Sequence, residues 1–132
     1  MNVQSVRPFL LFEGKADEAM NFYVSLFPGS EIKEVVRYGP GGPGPEGTIL
    51  RAEFTIGGQA VLSTDSFVHH AFTFTPAISF FVECESEDEL RRLAAALAEG
   101  GNVFMPLDNY GFSRLFTWVA DRFGVSWQLN LR

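Results

Sequence analysis

The sequence predicts an α+β fold of two βαβββ units that form a curved mixed sheet with a concave cup. Three observations predict it. The order strand, helix, three strands can be traced twice along the chain. Each helix has a single apolar stripe at helical spacing. The chain has 132 residues and 14 phenylalanines, a size and apolar supply suited to one domain that needs no disulfide or structural metal to fold.

In the first half, Val6 to Phe12 reads as a strand, with Pro8 marking an edge or a bulge. A helix follows, with Ala16, Ala19, Met20, Tyr23, Leu26 and Phe27 on one face. Asp17 and Glu18 lie in its first turn, where the helix dipole favours acids, and Pro28-Gly29 stops it. Glu31 to Tyr38 is a strand and Gly39 to Gly47 a Gly/Pro loop. Thr48 to Ile56 is the next strand, with Leu50, Ala52, Phe54 and Ile56 on one face and Arg51, Glu53 and Thr55 on the other. Gly57-Gly58 turns the chain into a strand over Gln59 to Thr64.

An aromatic-rich connection, Asp65 to Pro76, joins the halves, which span about residues 1–66 and 75–132 of a single domain. The pattern then restarts with a strand over Ala77 to Cys84. Ser86 caps the second helix and Glu89 reaches back, a capping box. Leu90, Leu93, Ala94 and Leu97 form its buried stripe, and Gly100-Gly101 ends it. A short strand near Asn102 to Met105, then Arg114 to Ala120 and Val125 to Leu131, complete the unit. A lone βαβββ unit leaves one sheet face bare. Two units can share a concave face, where small ligands bind.

The formal net charge is −6 and the pI is near 4.8. A phosphate-backbone partner requires a basic face, so nucleic acid is not expected, and neither is an anionic membrane surface. The single cysteine, Cys84, allows no internal disulfide, which suits a reducing compartment. The start of the chain lacks a signal-peptide pattern, and no apolar run approaches the ~20 residues of a membrane span. A cytoplasmic protein is expected.

Pro8-Phe9-Leu10, Ala16, Glu18-Ala19-Met20-Asn21-Phe22-Tyr23 and Leu26-Phe27 resemble the opening of PhnB-like proteins. His70, Phe72, Phe74 and Ala77-Ile78-Ser79 resemble the same family's middle. Asp121-Arg122-Phe123-Gly124-Val125-Ser126-Trp127-Gln128 resembles its closing motif. The resemblance covers essentially the whole chain. It implies the vicinal-oxygen-chelate (glyoxalase/bleomycin-resistance) fold and a homodimer whose cup a partner chain helps to complete. Family members often carry the label 3-demethylubiquinone-9 3-methyltransferase. Methyl transfer is not the expected activity. The strand-to-helix turn Phe12-Glu13-Gly14-Lys15 has one glycine, where an adenosyl cofactor needs a glycine-rich turn in a parallel sheet.

Superfamily enzymes such as glyoxalase I place one His, Gln or Glu from each of four strands on a metal. Carried over by motif, those positions read Pro8, Ser63, Ala77 and Gln128. Only Gln128 offers a usual ligand. A slip of one residue to Arg7, Thr64 or Ile78 supplies no His or carboxylate. No metal and no other cofactor is expected.

In the last strand Ser126, Gln128 and Asn130 alternate with Val125, Trp127, Leu129 and Leu131. The apolar row should pack under the helices and the polar row line the cup, with Arg51 and Glu53 placed likewise. His69 and His70 are adjacent, so in an extended segment they diverge. His70 remains a candidate general base, with Asp65 nearby in sequence. Cys84 lies between Glu83 and Glu85, which raise a thiol's pKa and argue against a nucleophile. Where family members often carry a cysteine before the tryptophan of the seventh strand, this chain has Phe116-Thr117-Trp118. Gly39 to Gly44 spells G-x-G-x-x-G but lies between strands and contains Pro40 and Pro43, so it reads as a flexible loop, a candidate flap over the cup or a partner subunit. Phe67, Phe72, Phe74, Phe112, Phe116 and Trp118 fill a core or wall an apolar ligand.

The leading expectation is a metal-independent small-molecule binding protein contacting its ligand through Arg51, Glu53, Ser63, Trp118 and Gln128. The alternative is a lyase or isomerase, either metal-dependent or using Glu53 or His70 for acid–base chemistry. A purely structural dimer is the third reading. A binder is stabilised by ligand without turnover, a metalloenzyme by metal, and a structural dimer by neither.

Overall fold

The computed structural model describes residues 2–132. The elements are β1 (Phe9–Phe12), α1 (Ala16–Leu26), β2 (Ile32–Arg37), β3 (Ile49–Ile56), β4 (Gln59–Asp65), β5 (Phe80–Glu83), α2 (Glu87–Ala98), β6 (Asn102–Asp108), β7 (Leu115–Ala120) and β8 (Ser126–Leu131). The chain forms two compact units, residues 1–70 and 71–132. Each has one helix and one four-stranded mixed sheet, ordered β1-β4-β3-β2 and β5-β8-β7-β6. The α+β class and the twice-used βαβββ order are therefore as expected.

In the first unit α1 packs on β3 and β4. It buries Ala16, Ala19, Met20, Tyr23 and Leu26, the stripe read from spacing, and Phe27 just beyond its end. Its N-terminus has no cap of its own; Lys15 makes no side-chain capping bond. Asp65, at the end of β4, supplies one from across the sheet. Its Oδ1 accepts from Gly14 N at 2.8 Å and Ala16 N at 3.0 Å, and its Oδ2 accepts from Ile49 N at 2.9 Å. One buried carboxylate thus joins the β1–α1 turn, the start of β3 and the end of β4. Gly57 and Gly58 both have positive φ, as a two-residue hairpin turn with matching twist requires. The turn sets Ile56 opposite Gln59, Phe54 opposite Val61 and Ala52 opposite Ser63.

Two details of this unit differ from expectation. Leu50 is 44% exposed, whereas Ile49 is fully buried. The β2–β3 register shifts between Val36 and Arg37, skipping Leu50. A bulge inserts an unpaired residue and reverses the alternation beyond it. The Gly39–Gly47 segment connects strand to strand and opens no helix. It is folded onto Tyr38, with Gly47 N donating to Tyr38 O at 2.9 Å and Gly42 N to Gly39 O at 3.2 Å.

In the second unit α2 packs on β7 and β8 through Leu90, Leu93, Ala94 and Leu97. Ser86 Oγ accepts from Glu89 N at 3.2 Å. Glu89 reaches back one residue further than in a standard capping box, to Glu85 N at 3.2 Å. β5 begins at Phe80, so Ala77 and Ile78 lie in an exposed turn ahead of it. β6 runs on to Asp108, past its expected end, with two register shifts against β7. The β7–β8 turn is held by Asp121. Its Oδ1 accepts from Phe123 N at 2.9 Å and Val125 N at 3.0 Å, and its Oδ2 from Trp127 Nε1 at 2.9 Å. Trp127 is fully buried and stacks on Phe80, centroids 4.8 Å apart. Among the described residues, no helix is long and apolar enough to cross a membrane.

Gly101, the residue before β6, lies hard against the end of β7. A Cβ there would lie 2.0 Å from Ala120 O and 2.8 Å from the Asp121 carbonyl carbon, both main-chain atoms. Gly101→Ala should therefore cost about 2 kcal/mol or more in urea unfolding, as overpacking does. Gly39→Ala, whose added carbon meets nothing within 4 Å, should be near neutral.

Candidate functional site

The face of the second sheet away from α2 carries the clearest polar constellation. Strand alternation buries Trp127, Leu129 and Leu131 toward the helix. It turns Ser126, Gln128 and Asn130 the other way. Gln128 lies between Phe81 of β5 and Trp118 of β7, with Met105 of β6 beyond. Trp118 Nε1 donates to Ser126 Oγ at 2.8 Å. Ser126 Oγ is 2.6 Å from Ser79 Oγ, which accepts from Gln128 Nε2 at 3.4 Å. These bonds orient the Gln128 amide and leave its Oε1 as an acceptor on a partly exposed face. Phe81 and Phe112 are exposed, and Phe104 packs on Trp118 with centroids 5.1 Å apart. Oriented polar groups set among apolar rings are the usual makings of a small-molecule contact surface.

Trp118 and Gln128, expected as contacts, are thus neighbours in one cross-strand row. Ser79 and Ser126 belong to the same network, Ser126 as a member of the polar row of β8 and Ser79 without any local pattern to mark it. Ser126 was legible from strand alternation. Ser79 was hidden because its segment reads as mid-strand, whereas it lies one residue before β5.

In the first unit, Arg51 and Glu53 share the face away from α1. Glu53 Oε1 accepts from Arg7 Nη1 at 3.1 Å, an ion pair with both side chains about one-third exposed. Ser63 is turned the opposite way. It is fully buried beside Ala52, and its Oγ has no hydrogen-bond partner among the described residues. The expectation that it faces the open side is corrected by hairpin counting. A two-residue turn after Ile56 puts Ser63 opposite Ala52, which belongs to the apolar row under α1.

The four positions carried over as metal ligands do not fit a metal. Pro8 precedes β1 and offers only its carbonyl, which accepts from Leu62 N at 2.9 Å. Ser63 is buried under α1, and Ala77 lies in a turn outside the sheet. Gln128 is bonded to Ser79. Among the described residues no three His, Cys, Asp or Glu side chains gather as a metal would need.

The two histidines are held by other groups. His69 Nδ1 is 2.9 Å from Glu13 Oε1, and the His70 main-chain N–H donates to Glu13 Oε2 at 3.3 Å. Those two hydrogen bonds, the His69 one first, hold the Glu13 carboxyl below its ordinary value. His70 Nε2 is 2.8 Å from Ser66 Oγ. Asp65, near His70 in sequence, accepts with both oxygens from main-chain N–H groups. Cys84 is buried. Burial first, then the Glu89 and Glu83 carboxylates, push its thiol up to about 11, so it is not a thiolate near neutral pH. Of the expected aromatic wall, Phe112 and Phe116 meet edge-to-face at 5.0 Å with Tyr110 beside them. Phe67, in the other unit, packs edge-on to Tyr38.

A family model described as 3-demethylubiquinone-9 3-methyltransferase matches residues 4–130. The PhnB protein from Bacillus cereus is 53% identical, with a TM-score of 0.95 over 98% of this chain and 100% of that one. Protein PA1353 from Pseudomonas aeruginosa is 29% identical, with a TM-score of 0.83 over 98% of each chain. The fosfomycin resistance protein FosX from Listeria monocytogenes is 11% identical, with a TM-score of 0.61 over 100% of this chain and 95% of that one, a likeness of fold. No curated protein matches the chain.

The burial of Ser63 generates a prediction. Ser63→Ala removes a hydroxyl that has no partner and should leave stability unchanged or raise it by up to ~1 kcal/mol. Urea unfolding measures this. A loss of more than 1 kcal/mol would contradict the buried, unbonded placement.

Proposed function

The chain belongs to the 3-demethylubiquinone-9 3-methyltransferase (PhnB-like) family of the vicinal-oxygen-chelate superfamily, and we propose that it acts there as a small-molecule binding protein that needs no metal. The observation that carries this reading is the Ser79–Ser126–Trp118–Gln128 network. It presents an oriented amide and an indole face on a sheet surface bordered by exposed rings. Such a surface suits a planar, largely apolar molecule that takes one or two hydrogen bonds. Arg51 and Glu53, which share the face of the first sheet away from α1, are proposed as ligand contacts of that unit. A homodimer in the cytoplasm is the proposed working form.

The metal-free part of the proposal is supported by the donor set. Three of the four carried-over ligand positions lack a usable side chain, and the fourth is a neutral amide. A methyl-transfer reading is disfavoured by the first turn of α1. An adenosyl cofactor would need main-chain N–H groups there, and Asp65 already occupies those of Gly14 and Ala16.

The test is thermal unfolding of metal-stripped protein against a panel of aromatic small molecules, with separate additions of Zn²⁺, Ni²⁺, Mn²⁺, Fe²⁺ and Mg²⁺. A ligand present at 100 times its Kd stabilises by about 2.7 kcal/mol, which for a domain of this size raises Tm by roughly 10 °C. The expected result is a rise with at least one aromatic compound, unaffected by chelator and abolished in Trp118→Ala and Gln128→Ala. A rise with a metal alone would overturn the metal-free reading. A flat response across the whole panel would overturn the binding reading.

A further inference from the structure

The Ser79–Ser126–Trp118–Gln128 network has a direction. Trp118 Nε1 can only donate, and it donates to Ser126 Oγ at 2.8 Å. Ser126 Oγ meets Ser79 Oγ at 2.6 Å, and Ser79 Oγ meets the Gln128 amide at 3.4 Å. Among the described residues these four side chains make no other hydrogen bond. The line therefore begins on an obligate donor, passes through two hydroxyls that each donate once, and ends on an amide that can turn either way.

With Gln128 Nε2 toward Ser79, donors enter the line from both ends. The bond between the serines then uses only one hydroxyl hydrogen. The other points out of the network, as does the second amide hydrogen. With the amide turned over, Trp118 donates to Ser126, Ser126 to Ser79 and Ser79 to Gln128 Oε1. Every hydroxyl hydrogen is then matched, and both amide hydrogens point outward. A surplus donor is present in either arrangement, whereas Gln128 Oε1 is turned outward in only one.

The surplus can be met from outside only at the Gln128 end. Ser126 is 2% exposed. Gln128, Ser79 and Trp118 are partly exposed, and the outer end of the Gln128 amide is not among the buried side-chain atoms that lack a partner. Phe81, its direct neighbour on β5, is 54% exposed, and Trp118 is its direct neighbour on β7. An open amide thus lies between two rings. No basic side chain shares the cross-strand row Phe81, Gln128, Trp118 and Met105, so nothing in it selects a charged acceptor over a neutral one.

We infer that the ligand is an aromatic compound with a carbonyl oxygen at its ring edge, which accepts a hydrogen bond from the Gln128 amide. This rests on the small-molecule reading above and fixes the polarity of its hydrogen bond. Phe81 and Trp118 supply contact area. The Gln128 N–H supplies the choice between a ring that accepts and one that does not, because an analogue without the oxygen leaves that N–H unpaired.

The test titrates three probes of similar size into ¹⁵N-labelled full-length protein. Indan-1-one accepts at its ring edge, indole donates there, and indane does neither. The Gln128 side-chain amide and the Trp118 indole N–H serve as reporters. Indan-1-one should shift the Gln128 amide and bind about fivefold more tightly than indane, the worth of one net hydrogen bond, and more tightly than indole. In Gln128→Glu the ionised carboxylate accepts the Ser79 hydroxyl hydrogen and leaves no surplus donor, so indole should overtake indan-1-one. Indole binding as tightly as indan-1-one to the unsubstituted protein, or more tightly, would overturn the acceptor assignment while leaving the small-molecule reading standing. A preference for indan-1-one that survives in Gln128→Glu would also overturn it, by placing the donor elsewhere. Binding of none of the three would overturn the carbonyl class, and the broader panel above then decides the small-molecule reading by itself. The ranking of the three probes on the unsubstituted protein needs no variant to fold.

Discussion

Asp121 gathers three N–H donors onto one buried carboxylate, two from the main chain of the β7–β8 turn and one from the Trp127 indole. A buried carboxylate is tolerable only when so satisfied. The indole bond does more than satisfy it. It pins Trp127 to the α2 side of β8, and a strand alternates. Ser126, Gln128 and Asn130 must then face the other way. The candidate site therefore follows from a parity that one side-chain bond sets. Had β8 slipped by one residue, the polar row would lie under the helix and the indole on the open face. Asp65 has the corresponding role in the first unit, where it ties three segments through Gly14, Ala16 and Ile49.

Much of this was legible in the sequence, for identifiable reasons. The buried stripes of α1 and α2 follow from helical spacing alone, and the structure buries each residue named for them. The parity of β8 was legible because polar and apolar residues alternate cleanly from Val125 to Leu131. The bulge at Leu50 was not legible, since an apolar residue there fits the alternation and only the register against β2 reveals the skip. Ser63 was misassigned by carrying over a ligand position, although counting across Gly57-Gly58 places it opposite Ala52. The start of β5 was misread because Ala77 and Ile78 suit a strand by composition, while nothing local marks where pairing begins. The partners of Glu13, Asp65 and Asp121 depend on contacts across the fold, which no local pattern encodes.

The family description names methyl transfer, and in this chain the N-terminus of α1 is capped by the protein's own Asp65. On the face of the second sheet away from α2, the side chains open to contact are neutral donors, acceptors and rings: Ser79, Trp118, Gln128, Phe81 and Phe112. Glu53 is engaged by Arg7, His70 by Ser66, and the Cys84 thiol is buried and pushed up to about 11.

On the proposed function, the face of β7 and β8 turned away from α2 holds a small aromatic molecule against Trp118 and Gln128. The most direct measurement is a set of intermolecular nuclear Overhauser contacts between a bound aromatic ligand and isotope-labelled protein. Contacts from ligand ring protons to the Trp118 ring and the Gln128 side-chain amide are expected. Contacts confined to other parts of the chain, with none to Trp118 or Gln128, would contradict it.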